Sequence, residues 1–120
     1  MQKFVFDTYA LFEIIAGNPD YAKYLESEII INDFIFAELC YKLIRENVEN
    51  ANFYIDKYKD FVMEVKAEII KKAMKFRVDN KKKKMSGADC ISYMMAQELG
   101  IRFLTGDKEF EKMSNVEFVK

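Results

Sequence analysis

Short β-favouring apolar runs alternate along the chain with stretches in which apolar residues recur every three or four positions. KFVF (3–6) is the first such run. Asp7 and Thr8 then offer a cap for the helix YALFEIIAG, in which Leu11, Ile14 and Ile15 follow helical spacing and Gly17 supplies a stop. Asn18-Pro19-Asp20 opens a second short helix, YAKYLESE, and EIIIN reads as the second strand, β-branched and bounded by polar residues. Asp33 is placed to cap the next helix, which the pattern carries to Asn47 with Phe34, Ala37, Tyr41 and Ile44 on its apolar face. A turn over 47–52 follows.

Residues 53–77 read as mostly helical. A break at FVMEV (61–65) predicts a short third strand before KAEIIKKAMKFR resumes a helix. DNKKKKMSG (79–87) is a solvated loop, and Ser86, with Asp89 three residues on, has the form of a capping box opening ADCISYMMAQEL, which Gly100 ends. IRFLT is a strand, Gly106-Asp107 a turn into a one-turn helix, and VEFV a final strand. Strands alternating with helices predict an α/β fold whose parallel sheet is covered on both faces. Ligands of such sheets bind beyond the carboxyl ends of the strands, where strand order reverses.

Composition fits one domain over 1–120: hydrophobic residues make up 51% of the 120, enough to fill a single core. No 18-residue apolar run occurs, and an acid stands at position 7, so neither a membrane span nor a signal peptide is expected and a cytoplasmic location follows. Cys40 and Cys90 each fall inside a predicted helix, not in a CxxC spacing, and read as small buried hydrophobes. Tyr21, Tyr24, Phe53, Tyr54, Tyr58 and Phe61 load the first half with aromatics, read mostly as core and in part as a dimer seam.

Histidine is absent. That removes Ser-His-Asp and Cys-His catalysis and imidazole-based zinc sites, leaving oxygen-ligand chemistry of the kind hard cations prefer. Four acids stand against apolar runs: Asp7 ending VFD, Glu38 in IFAELCY, Asp89 in SGADCISYMMA and Asp107 in FLTGDKEF. A carboxylate in such a place needs a cation, hydrogen bonds or exposure. Asp7 and Asp107 lie just past predicted strands, so the two converge if those strands are central neighbours. Asp7, Asp89 and Asp107 also have plain structural uses, as helix cap, capping-box member and turn residue, and Glu38 has that of an exposed position.

FVFDTYAL, the acid of FAELCYKL, ADCISYMMAQELG and FLTGDKEF stand in an order that resembles the PIN-domain family, over nearly the whole length, and in particular its VapC-like toxin ribonuclease group. The resemblance implies a three-layer α/β/α sandwich on a parallel sheet of about five strands, and cleavage of RNA with Mg²⁺ or Mn²⁺. It puts Asp7, Glu38, Asp89 and Asp107 at the catalytic, metal-binding positions, Thr105 at that of a supporting hydroxyl, and Thr8 where it positions a ligand or water. Glu109 falls where only some members carry an acid. Tyr9 departs from the small polar residue common in the toxin group, which bears on the subclass more than on the chemistry. The toxin group further implies a homodimer and an antitoxin partner.

Attack by an activated water predicts 5′-phosphate and 3′-hydroxyl ends. Between Lys66 and Lys84 nine basic residues face two acids, a net of +7 in a chain of net −1, and the stretch ends in Lys81, Lys82, Lys83 and Lys84, candidates for guiding an RNA backbone toward Asp89. Three rivals stand beside the toxin reading. One is a PIN-domain nuclease of RNA processing or decay without an antitoxin. Another is a haloacid-dehalogenase-like phosphatase, suggested by Asp7 and by Gly106-Asp107 with Glu111, which would require an acid where Tyr9 stands. The last is a non-cleaving scaffold for RNA or protein.

Overall fold

Three of the four residues of KFVF are buried, and this strand becomes one of two inner strands of a parallel sheet. A computed structural model of the protein describes residues 1–120. In chain order it contains β1 (Lys3–Phe6), α1 (Thr8–Ile15), a 3₁₀ helix (Pro19–Glu26), β2 (Glu28–Ile30), α2 (Asp33–Arg45) and α3 (Ala51–Tyr58). A 3₁₀ turn (Lys59–Phe61), α4 (Ala67–Asp79), α5 (Gly87–Leu99), β3 (Arg102–Thr105), a 3₁₀ turn (Lys108–Phe110) and β4 (Val116–Phe118) complete it.

The strands lie in the order β2-β1-β3-β4, all parallel, with Val5 opposite both Ile30 and Phe103. The chain therefore leaves β1 for one edge, then returns to β3 and the other edge. Strand order reverses between β1 and β3, where a doubly wound sheet opens its crevice.

Alternation along the strands divides the core. Phe4 and Phe6 face Leu11, Tyr21, Ile35, Leu39 and Tyr58, from α1, the first 3₁₀ helix, α2 and α3. Val5 and Phe103 face Ala73, Cys90, Tyr93 and Phe110, on the side of α4 and α5. Helices thus cover both faces of the sheet. Tyr21, Tyr24 and Tyr58 are core residues as expected, whereas Phe53 is exposed.

The sheet has four strands, not about five. The expected strand at 61–65 is reduced to one parallel bridge between Ile31 and Val62, held by Ile31 N–H to Phe61 O at 3.1 Å and Met63 N–H to Ile31 O at 2.8 Å. The neighbouring chain turns into α2 directly after Ile31, so no further backbone remains for Met63 to Val65 to pair with. The segment opened by Pro19 winds as a 3₁₀ helix.

Two expectations for α2 are corrected. Its cap is Asn32, whose Oδ1 accepts from Ile35 N–H at 3.0 Å, and not Asp33. Its buried stripe is Ile35, Leu39 and Leu43, while Phe34, Tyr41 and Ile44 are exposed. Both sets have helical spacing, so periodicity cannot choose between them. Asn32 decides it: fully buried, it donates from Nδ2 to Ser92 Oγ of α5 at 3.0 Å, fixing the rotation of α2 at its first turn.

Candidate active site

Asp7 follows β1 and caps α1, its Oδ1 accepting from Ala10 N–H at 2.7 Å. Its other oxygen accepts from Thr105 Oγ1 at the end of β3, the adjacent strand. Thr105 Oγ1 also accepts from Asp107 N–H at 3.0 Å, and Asp107 Oδ1 accepts from Glu109 N–H at 3.0 Å. One hydroxyl thus joins the first and last acids across the switch point. Both Asp7 and Thr105 are buried.

The other two acids come from helices. Glu38 lies on the solvent side of α2, and Thr8 Oγ1 donates to its Oε1 at 2.9 Å. Asp89 stands in the first turn of α5, whose cap Ser86 accepts from Asp89 N–H at 3.0 Å through Oγ. Asp7 is thus a helix cap and Asp107 a turn residue as weighed, whereas of the capping box only the Ser86 half forms, with Asp89 a first-turn acid. These uses do not exhaust the side chains, because all four acids line a single hollow of ≈ 450 Å³ with Thr8, Tyr9, Gly106, Lys108 and Lys120.

None of the four carboxylates takes part in an ion pair. Burial first, then the charge of Asp89, raises the carboxyl of Asp7 well above its ordinary range, with Asp107 adding to the effect. Burial, then Glu38 and Asp107, pushes Asp89 up to about 7. Burial and the neighbouring carboxylates together make Asp7 and Asp89 harder to ionise, as expected of acids crowded into one hollow. An all-oxygen donor set of this kind suits a hard divalent cation. No three of the acids are gathered at ligating distance of one point; the fit is one of donor chemistry and shared location.

Tyr9, which marks a departure from the toxin group in the sequence, and Lys108 and Lys120, which carry no motif, also line the hollow. Lys108 follows Asp107 directly and was within reach of it; Lys120 gave no signal. Of the lysine run, Lys81, Lys83 and Lys84 line a second, open hollow of ≈ 560 Å³, and Lys82 does not. Lys83 Nζ also donates to Glu109 O at 3.2 Å, two residues from Asp107. No helix is long and apolar enough to cross a membrane.

No curated protein matches the chain in sequence. Among solved structures it is similar to a chain of a toxin–antitoxin complex from Klebsiella pneumoniae, with a TM-score of 0.78 and 18% identity over 95% of each chain. Mycobacterium tuberculosis VapC20, described as a sarcin-ricin loop cleaving toxin, superposes with a TM-score of 0.77 and 18% identity over 98% of this chain and 99% of that one. VapBC2 from Rickettsia felis, bound to a DNA fragment from its promoter, gives 0.74 and 16% identity over 98% of each. At such identities the likeness is one of fold. The sequence profile described as PIN domain matches residues 4–116, nearly the whole chain, and the protein therefore belongs to the PIN domain family.

Proposed function

We propose that this protein is an Mg²⁺- or Mn²⁺-dependent endoribonuclease, working as a single domain over 1–120 and as the toxin of a type II toxin–antitoxin pair. The observation that carries the reading is the convergence of Asp7, Glu38, Asp89 and Asp107 on one hollow at the switch point of the sheet. A toxin–antitoxin complex and a sarcin-ricin loop cleaving toxin among the similar folds support the subclass and, with it, an antitoxin partner; a homodimer is part of the same proposal.

The chain's own residues divide the work. Asp7 is held by two hydrogen bonds, so its carboxylate has one orientation. Thr8 aims Glu38, and Thr105 couples the placement of Asp7 to that of Asp107. The four would hold the cation, which when bound acidifies a coordinated water and neutralises charge on the phosphate. Water rather than the ribose 2′-hydroxyl is the nucleophile, so the products carry 5′-phosphate and 3′-hydroxyl ends. Lys81, Lys83 and Lys84 supply attraction for the RNA backbone beside the acidic hollow.

The phosphatase reading lacks support at Tyr9, where a second acid would be required and an aromatic ring packs instead on Gly106. The test is cleavage of a single-stranded RNA in Mn²⁺ by the wild type and by Asp7→Asn and Asp89→Asn. Loss of cutting in both, with native far-UV dichroism retained, supports the assignment; turnover at the wild-type rate in either refutes it.

A further inference from the structure

We propose that the second hollow is a discrete subsite for one backbone phosphate of the RNA, built on Arg77, with Lys84 and Lys81 as its other cations; the inference rests on the nuclease reading and deepens it. The hollow is lined by Arg77, Lys81, Lys83 and Lys84 and by no acid. None of these four cations is in an ion pair. Four unneutralised cations around one concavity repel one another, and a phosphodiester relieves that repulsion.

Arg77 is the fixed member. It projects from the last turn of α4, and its Nε donates to Met85 O at 3.2 Å, across the loop that carries the lysines. A Cβ on residue 87 would stand 3.3 Å from its Nη1, so glycine there leaves the guanidinium its room. With Nε committed, the remaining N–H donors form the planar fork that suits phosphate oxygens. Lysines around it add charge without fixed geometry.

Two connections tie this hollow to the acidic one. Ser86 lines the basic hollow while its Oγ accepts from the backbone N–H of Asp89, which lines the other. Lys83 lines the basic hollow while donating to Glu109 O, next to the turn held by Asp107. An RNA strand whose scissile phosphate sits among the carboxylates would therefore have this basic hollow beside its path, with Arg77 placed to take another of its phosphates.

The test measures binding of a 12-nucleotide RNA to the full chain in EDTA, where no cutting occurs, by fluorescence anisotropy across a salt series. Arg77→Gln and Lys84→Gln are expected to weaken affinity severalfold and each to lower the slope of log affinity against log salt by about 0.7, the value for one phosphate contact on a single strand. Lys3→Gln, at the amino end of β1 and outside the lining, is expected to change neither. RNAs with single neutral methylphosphonate linkages then locate the contact: one linkage weakens wild-type binding and has no effect on Arg77→Gln. Equal losses in all three variants would mean diffuse attraction and overturn the subsite. So would wild-type RNA affinity in Arg77→Gln and Lys84→Gln, the outcome expected if the hollow serves an acidic protein segment. If the subsite is confirmed while Asp7→Asn leaves cutting intact, the nuclease assignment fails separately; cutting that needs Asp7 but ignores Arg77 sinks the subsite alone.

Discussion

The ring of Tyr9 occupies the space into which a side chain at Gly106 would project: an ideal Cβ there would stand 2.2 Å from Tyr9 Cε1 and 2.7 Å from Val119 O. Gly106 is thus the point at which α1, β3 and the segment after β4 meet beside the acidic hollow. Its buried place between Thr105 and Asp107 also sets where the last acid emerges.

Gly106→Ala is accordingly expected to destabilise the fold by about 1–3 kcal/mol, the usual cost of overpacking a closed site. Tyr9→Ser in the same chain removes the ring clash but not that with the Val119 carbonyl, so it restores only part of the loss. Thermal melts of the two variants check this; a Gly106→Ala protein melting with the wild type would show that the contact is slack.

Thr105→Val deletes the donor to Asp7 and the acceptor for Asp107 N–H together. Leaving a buried acceptor unpaired costs about 1–3 kcal/mol, and cleavage is expected to fall further than stability explains because two acids lose their orientation. Thr105→Ser keeps the hydroxyl and is expected to retain most of both. Urea unfolding alongside cleavage rates measures this, and equal behaviour of the two variants would contradict it.

The raised carboxyls predict an inverted acid response in metal-free protein. Burial and neighbouring acids push the Asp89 carboxyl up to about 7 and hold Asp7 well above its ordinary range, against about 4 for an unfolded aspartate. Between these limits the folded chain binds more protons than the unfolded one, so stability falls as pH rises through the window. In EDTA the melting temperature should be higher at pH 5 than at pH 8, and Asp89→Asn should flatten the difference. A melting temperature that climbs over that interval would oppose the electrostatic description of the hollow.

Much of the framework is legible in the sequence. Asp7 and Asp107 follow apolar runs that become adjacent central strands, and Ser86 with Asp89 marks the start of α5, because caps and strand ends are local features. What failed was non-local. The rotation of α2 depends on Asn32 reaching Ser92, sixty positions away, so Tyr41 and Ile44 passed for core. Residues 61–65 have strand-like composition, yet their pairing depends on how soon the neighbouring chain turns into a helix. Arg77 is one of nine bases in its stretch and nothing in the sequence singles it out, since its bond to Met85 O exists only once the lysine loop has folded back.

Calorimetric titration of Mn²⁺ into metal-stripped protein bears most directly on the central claim, that four distant carboxylates form one cation site. The account predicts saturable binding in the wild type, weakened at least about tenfold, near 1.4 kcal/mol, in each of Asp7→Asn, Glu38→Gln, Asp89→Asn and Asp107→Asn. Wild-type affinity in any one of these would remove that residue from the site, and no saturable Mn²⁺ binding in the parent chain would contradict the account as a whole.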